Sequence, residues 1–445
     1  MERGLRPAPI NWRGVLLRPS TALPVAVLAI ALCLAPLPAS AAPAAKDVLK
    51  TYADIAQAGY TDSLDSAKTL KLAIDALLAK PTDNNLRAAR TAWVAARIPY
   101  MQTEAYRFGN AIVDDWEGKV NAWPLDEGLI DYVAEAYGAD SAENELYVAN
   151  VIANTTLVIG GKKLDAGNIT KALLADELQE AGGVEANVAT GYHAVEFLLW
   201  GQDLNGTGPG NGARPATDFD IKHCTNGNCA RRAEYLSVVT DLLIDDLAWM
   251  AEQWAPGDEA RKVIEDGSDE AGLTAIMTGL GSLSYGELAG ERIKLGLMIH
   301  DPEEEHDCFS DNTHASHFFD ALGIRNVYLG AYRRIDRSLV SGPSVSDLVK
   351  AKAPEVDAEL RAKLDATMEA VNALYLRALT TESYDQMIGE GNQEGNAVVQ
   401  RVVDALLDQT KAIERAVSAL ELKSIEFEGS DNLDDPGKVE QESGE

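Results

Sequence analysis

A histidine and a glutamate three residues apart, His193 and Glu196, have the clearest capacity for metal chemistry in this 445-residue chain. Residues three apart lie on one face of a helix, so an imidazole and a carboxylate would point the same way. Such a pair is half of a typical site for a divalent or ferric metal ion. The same spacing also occurs in buried structural pairs, in which the glutamate only satisfies the histidine.

The order of these two residues excludes the better-known zinc motifs. His-Glu-x-x-His occurs nowhere in the sequence, and the inverted motif would need a histidine where Phe197 stands. A third ligand must therefore come from elsewhere, and His314 or His317 could supply it from the start of a later helix. Four of the six histidines lie in the polar segment from His300 to His317. Alternatively, these histidines lie at a solvated helix end, where they gain and lose protons without a functional role.

Charged residues that could surround the ligands occur in two places. Trp93, Arg97, Tyr100 and Glu104 are spaced by four, three and four residues along a predicted helix and form one stripe. Charges on an inner helix face need partners, so Arg97 and Glu104 are predicted to lie beside the metal ligands or to form an ordinary structural pair. Asp203 begins the glycine-rich loop that follows the motif helix and is the third predicted neighbour.

Composition predicts an all-α fold, because Ala, Leu, Asp and Glu are abundant and apolar residues recur at helical intervals. Helices are predicted over 140–157, 185–200, 354–379 and 393–422. The net charge of −31 repels nucleic acid and anionic lipid, so nucleic acid is excluded as a partner. Acidity alone also keeps many exported proteins soluble. No segment after residue 41 reaches the ~20 uninterrupted apolar residues of a membrane span.

Residues 1–41 contain arginines, then an apolar run and a small-residue cleavage site, which together predict a cleaved signal peptide. We therefore expect a periplasmic or cell-surface protein, and a lipoprotein anchored at Cys33 is the alternative. In an oxidising compartment, Cys224 and Cys229 can form a local disulfide across the turn that Asn-Gly favours between them. Cys308 is then free, or is the true partner of one of the two.

The mature chain is predicted to have two helical parts and a tail. Residues 42–220 form an N-terminal helical bundle that ends in the glycine-rich loop, and residues 221–425 form a C-terminal bundle. Residues 426–445 are acidic and poor in apolar residues, so they are predicted to be disordered.

Three separated stretches together resemble the imelysin family. Residues 191–203 contain its Gly-x-His-x-x-Glu signature, and residues 306–314 and 323–330 resemble its second signature region. The stripe from Trp93 to Glu104 resembles the first long helix of the family. The likeness extends from about Val48 to Leu422. It implies an all-helical protein of two four-helix-bundle-like halves, which could be related by a pseudo-repeat, with the His-x-x-Glu site near their interface.

This resemblance also implies export and a connection to iron, and some family members are classed as metallopeptidases. His193 and Glu196 match the signature ligands, and His314 matches by its position in the second region. The first hypothesis is therefore a metal-binding protein of iron acquisition, with iron favoured and zinc as the alternative. Its partners would be the metal ion or an iron-carrying ligand, together with other iron-uptake proteins.

Two further hypotheses stay open. A metallopeptidase would use the His193-x-x-Glu196 site, although the sequence shows no separate general base for hydrolysis. A non-catalytic receptor or scaffold would use the loop from Gly201 to Asp220, with the motif serving only the fold.

Overall fold

Helices dominate the computed structural model, which describes residues 42–437. The predicted all-α class is confirmed, and the strands among the described residues make only two short antiparallel pairs. These are β1 (Thr156–Ile159) with β2 (Lys162–Asp165), and β3 (Ala331–Arg333) with β4 (Leu339–Ser341). No helix in the described part of the chain is long and apolar enough to cross a bilayer. The predicted signal peptide lies outside the described residues.

Two long helices, α1 (Ala45–Ala79) and α2 (Asp83–Met101), begin the described chain and pack against each other. The hydroxyl of Thr82 caps α2 by accepting a hydrogen bond from the Asn85 N–H at 3.3 Å. The buried face of α2 carries Trp93, Arg97 and Tyr100, so this helix brings a charged residue into the core.

The remaining helices follow in chain order. They are α3 (Ala111–Glu117), α4 (Glu127–Ile130), α5 (Gly191–Trp200), α6 (Cys229–Gln253), α7 (Glu259–Glu265), α8 (Asp269–Ser282), α9 (Leu295–Ile299), α10 (Thr313–Leu329), α11 (Val345–Lys352), α12 (Pro354–Thr380), α13 (Tyr384–Ile388), α14 (Gln393–Ala419) and α15 (Asp431–Asp434). Wider, π-helical turns span Leu173–Leu178 and Leu283–Lys294, and the second of these joins α8 to α9. Interruptions of this type are frequent at functional sites.

Helix α5, which carries His193 and Glu196, is buried along its whole length. It begins at Gly191, where φ is +77° and a Cβ would lie 2.4 Å from the carbonyl oxygen of Val120. The next residue, Tyr192, donates its N–H to that same oxygen at 2.7 Å. Only glycine combines this backbone conformation with so close an approach, so Gly191 fixes where the motif helix starts.

Helices before and after residue 220, the predicted boundary between the bundles, contact each other. Helix α6 packs against α1 and α5, and α10 packs against α2. Residues 42–437 belong to one compact unit. The division into bundles at 42–220 and 221–425 stays a prediction.

The first residues of the acidic tail contact the helices, and the disorder of residues 426–445 stays a prediction. A Cβ on Gly281 would lie 2.2 Å from the ring of Phe427, and one on Gly290 would lie 2.3 Å from the Ser430 Cβ. These glycines leave a groove that receives Phe427 and Ser430, and Asn432 is only 4% exposed, whereas residues 434–437 are exposed. The groove is formed by residues far from the tail in sequence, so tail composition alone could not indicate it. Residues 438–445 of the predicted tail lie outside the described residues.

Candidate metal centre

The two signature residues contact each other inside the protein. His193 Nδ1 lies 2.9 Å from Glu196 Oε2, and both side chains are at most 1% exposed. The other carboxylate oxygen of Glu196 accepts a hydrogen bond from the Ser310 N–H at 3.0 Å. His193 Nε2 is buried and has no hydrogen-bond partner. The glutamate therefore orients the imidazole and leaves one of its nitrogens available.

The segment before α10 brings two further possible metal ligands close to His193. The rings of His193 and His306 lie 4.9 Å apart between centroids. One ligand atom each from His193, His306 and Asp307 lies within 4.8 Å of the other two. The structure thus groups two imidazoles and a carboxylate, all of them buried.

Asp307 is held by several donors. Its Oδ2 accepts hydrogen bonds from the Asn312 amide at 2.7 Å and from the Ser316 hydroxyl at 2.5 Å. Its Oδ1 accepts from Arg97 Nη2 at 2.8 Å, and the same Nη2 lies 3.3 Å from His306 Nδ1. The carboxylate position is therefore fixed before any ligand binds.

Arg97 is itself almost fully buried, with 1% of its side chain exposed. Besides Asp307, it donates to the Asn121 side-chain oxygen at 2.5 Å, and its guanidinium lies 5.1 Å from the centre of the Tyr192 ring. Asn121 donates in turn to Glu117 at 2.9 Å. This arrangement balances a buried positive charge with a carboxylate and an aromatic face.

A second buried arginine, Arg292 of the π-helical segment, forms the ion pair with Glu104, which the sequence predicted to lie near Arg97. Glu104 pairs with Arg292 Nη2 at 2.6 Å, and Asp320 lies 3.2 Å from Nη1. Glu287 also pairs with Arg292 at 2.6 Å. Glu104 thus belongs to a neighbouring ion network and not to the group around His193.

Burial determines the protonation of these groups. The pKa of His193 falls to about 3 because of burial and then the charge of Arg97. Burial and then Arg292 hold the pKa of His306 well below its usual range. Burial and then Asp307 raise the pKa of Glu196. Both imidazoles are therefore neutral near pH 7, which is the form that binds metals.

The other two predicted site residues lie elsewhere. His314, on the first turn of α10, packs its ring 5.1 Å from that of Tyr375, and its Nδ1 lies 3.0 Å from the carbonyl oxygen of Asp311. It is not among the ligand atoms that meet at His193. Asp203 lies instead with Asp311 and Asp385 in a separate acidic group.

His306 and Asp307 are the residues that sequence reasoning did not select. Both lie in the polar segment between His300 and His317, whose unusual density of donors was the available signal. The sequence favours His314 because it lies at a helix start in the second half and matches the second signature region by position, whereas the path of the preceding segment depends on tertiary contacts. One such contact is the hydrogen bond from the Trp123 indole to the Glu305 carbonyl oxygen at 2.7 Å.

The cysteines have distinct states. Cys224 and Cys229 are joined in a disulfide, and Cys308 is the free cysteine of the described residues. The sulfur of Cys308 lies in a buried environment that raises the pKa of its thiol, so the thiolate is disfavoured.

The donor set at His193 fits a transition-metal cation. Imidazole nitrogen and carboxylate oxygen suit iron and zinc, and the unpartnered Nε2 of His193 supplies a free lone pair in one tautomer. Asp307 already faces Arg97, but each carboxylate oxygen carries two lone pairs and can accept a second interaction. His193, His306 and Asp307 would therefore hold the ion, with Glu196 behind His193.

The fold and this cluster define an all-helical protein with a buried centre of histidine, carboxylate and arginine. The imelysin family model, Peptidase_M75, matches residues 56–413, and the chain belongs to this family.

The chain is also similar to individual known proteins. The chain is 38% identical over 71 residues to iron-regulated protein A of Synechococcus elongatus, a match that covers 16% of this chain and 20% of that protein. A crystal structure from Parabacteroides distasonis, described as an iron-regulated protein A precursor, has a TM-score of 0.58 and 20% identity, covering 86% of this chain and 97% of that chain. An imelysin-like protein from Psychrobacter arcticum has a TM-score of 0.53 and 15% identity, covering 86% of this chain and 99% of that chain. These two structures share the fold.

Proposed function

We propose that this chain is an exported metal-binding protein of iron handling, in which His193, His306 and Asp307 bind a divalent or ferric cation. The observation that carries the proposal is the buried, unpartnered Nε2 of His193, whose Nδ1 is held by Glu196 at 2.9 Å. Histidines that bind a metal through one ring nitrogen usually donate a hydrogen bond from the other ring N–H to a carboxylate or a similar acceptor. The connection to iron comes from the relatives described as iron-regulated.

Glu196 takes a supporting role in this proposal and is not itself a ligand. Its Oε2 faces His193 Nδ1 and its Oε1 accepts from the Ser310 N–H. With the proton on Nδ1, the Nε2 lone pair is free for the cation. Since burial raises the pKa of Glu196, cation binding would release a proton from the pair.

Arg97 adds a positive charge beside the proposed metal ligands. It lies 2.8 Å from Asp307 and holds that carboxylate in place without a bound metal. The positive charge reduces the attraction for a cation, so the centre should favour reversible over permanent binding. Reversible binding suits a protein that accepts a metal and passes it on.

Export is supported by two observations. The disulfide between Cys224 and Cys229 belongs to an oxidising compartment, and the Parabacteroides relative is described as a precursor. We place the mature protein in the periplasm or on the cell surface. There its partners would be the cation or an iron-carrying ligand, and other proteins of iron uptake.

Binding is favoured over hydrolysis by the position of the adjacent cleft. This cleft, about 370 Å³ in volume, is lined by Trp123, Tyr137 and Phe309 among others, and none of the three proposed ligands lines it. A peptide in the cleft would therefore not contact the imidazoles. Chelator-sensitive cleavage of a peptide library by the zinc-loaded protein would restore the peptidase hypothesis.

The test is a calorimetric titration of the purified protein with Zn²⁺, and with Fe²⁺ under anaerobic conditions. His193→Ala and His306→Ala should each weaken binding by well over ~10-fold, because each removes a ligand. His314→Gln is the matched control, since His314 lies outside the ligand group, and should bind like wild type. Circular dichroism melting confirms that each variant is folded. Equal binding by wild type and His193→Ala would overturn the proposal.

A further inference from the structure

A second group of acidic side chains converges from three parts of the chain. Asp203 follows α5, Asp311 precedes α10 and Asp385 lies in α13. One carboxylate oxygen from each lies within 4.8 Å of the other two. Asp385 is 1% exposed, so part of the group is in the interior.

Glu305 adds a fourth carboxylate beside this group, although its oxygens are not among those that lie within 4.8 Å of one another. Its side chain is 1% exposed, and neither of its oxygens makes a hydrogen bond of normal geometry. Burial raises the pKa of its carboxyl, and a weak interaction with the Thr313 side chain only partly opposes this. It lines the same small cavity as Asp203 and Asp385. A buried carboxylate with so little hydrogen bonding is costly unless a proton or a cation neutralises it.

The other members of the group keep free oxygens as well. Asp385 Oδ1 accepts from the Ser383 hydroxyl, while Asp385 Oδ2 and Asp311 Oδ1 have no partner. Among the residues that the structure describes, no lysine or arginine forms an ion pair with these four carboxylates. With no positive side chain paired to them, burial raises the pKa of Asp311 to about 8 and that of Asp385 to about 6, so protons neutralise part of the group when no cation is bound.

The cavity between Asp203, Glu305 and Asp385 has the size of a single small ion. Its volume is about 10 Å³, close to the ~10–15 Å³ that one water molecule needs. All the donors offered by the four side chains are carboxylate oxygens, which suit hard cations, whereas imidazole and thiolate suit zinc and iron. Ca²⁺ tolerates irregular oxygen sites better than Mg²⁺, which requires a near-octahedral arrangement.

We propose that Asp203, Asp311 and Asp385, with Glu305 beside them in the wall of the same cavity, form a second cation site, separate from the histidine centre, that binds a hard divalent ion of the Ca²⁺ type. The ion would connect the loop after α5, the segment before α10 and helix α13. Glu305 immediately precedes His306 and Asp307 in sequence. Occupation of the acidic site would therefore hold in place the segment that supplies two of the three proposed ligands of the other centre.

The test is a titration of the purified, metal-free protein with Ca²⁺, followed by calorimetry and by thermal melting. Wild type should bind Ca²⁺ and melt at a higher temperature in its presence. Glu305→Gln and Asp385→Asn should each weaken Ca²⁺ binding by roughly 10-fold or more, since affinity at such sites follows the number of charged ligands. Both variants preserve side-chain shape and remove a repulsive charge, so they should fold without Ca²⁺.

Two controls separate this site from its surroundings. Glu127→Gln alters another buried carboxylate, which lines the wider cleft and not the small cavity, and should leave Ca²⁺ binding unchanged. His193→Ala should also leave it unchanged, whatever its effect on Zn²⁺. The proposal is overturned if wild type binds no Ca²⁺, which would mean that protons neutralise the group. It is equally overturned if Glu305→Gln and Asp385→Asn bind Ca²⁺ as wild type does.

Discussion

Arg97 and Asp307, 210 residues apart in sequence, form an ion pair of 2.8 Å that is almost completely shielded from solvent. The pair joins α2 to the segment before α10 and fixes the carboxylate beside His193 and His306. Because both charges are buried, each depends on the other for neutralisation.

Removal of one partner should therefore be strongly destabilising. We expect Arg97→Gln to lower the free energy of unfolding by about 3–5 kcal/mol, because Asp307 would remain as an unpaired buried charge. Urea unfolding followed by circular dichroism measures this loss. The double variant Arg97→Gln with Asp307→Asn contains no unpaired charge and should recover part of it. A single variant within about 1 kcal/mol of wild type would show that water reaches and solvates the carboxylate.

Glu196 should control metal affinity without binding the metal. Glu196→Gln keeps an oxygen near His193 Nδ1 but removes the negative charge that stabilises the proton there. We expect Zn²⁺ affinity to fall by roughly 10–100-fold, the usual cost of losing such a supporting carboxylate. Calorimetry provides the affinity, and Glu127→Gln, at a buried carboxylate outside the ligand group, is the control. Complete loss of binding in Glu196→Gln would instead make Glu196 a direct ligand.

The long helices were predictable because their periodicity is uninterrupted. The predictions over 354–379 and 393–422 agree closely with α12 and α14. The prediction of a helix over 140–157 was wrong: this stretch forms turns and leads into the β1–β2 hairpin. Gly160 and Gly161 close that hairpin with φ of +55° and +75°, and such a glycine pair was the overlooked signal.

Only the part of the candidate site that lies within one helix was predictable from the sequence. Helical spacing places His193 and Glu196 side by side, and the structure does so. The partners of Arg97 and Glu104 depend on segments about 200 residues away, whose positions follow from packing and not from local spacing. The same limit explains why local spacing does not predict His306 as the residue beside His193.

Acid should destabilise the protein partly through His317, whose two ring nitrogens are buried and make no hydrogen bond of normal geometry. Burial and then Arg292 lower the pKa of His317 to about 3. An unfolded histidine titrates near pH ~6.5, so below this pH the unfolded chain binds a proton that the folded chain does not. The free energy of unfolding therefore falls with falling pH, by up to about 1.4 kcal/mol per pH unit from this residue.

His317→Gln removes this contribution, so its free energy of unfolding should decrease less steeply than that of wild type between about pH 6 and pH 4.5. Urea unfolding at several pH values measures both slopes. His223→Gln is the control, because the side chain of His223 is 78% exposed, and it should have the wild-type slope. Parallel slopes for wild type and His317→Gln would mean that His317 is protonated in the folded protein.

Gly191 of the signature should not tolerate a side chain, because a Cβ there would clash with a neighbouring carbonyl oxygen. Gly183, which has the same φ, should tolerate one better. Gly191 and Gly183 both have φ of +77°, but a Cβ would meet the Val120 carbonyl oxygen at 2.4 Å only at Gly191. Alanine in this conformation costs about 1–2 kcal/mol at either position. Gly191→Ala must also displace α5 or Val120, so we expect it to lower the free energy of unfolding by roughly 3 kcal/mol or more. A shift of α5 would move His193, so Zn²⁺ binding should weaken in Gly191→Ala and persist in Gly183→Ala. Urea unfolding and calorimetry on the two variants decide this, and equal destabilisation with equal Zn²⁺ binding would show that the start of α5 adapts without cost to the site.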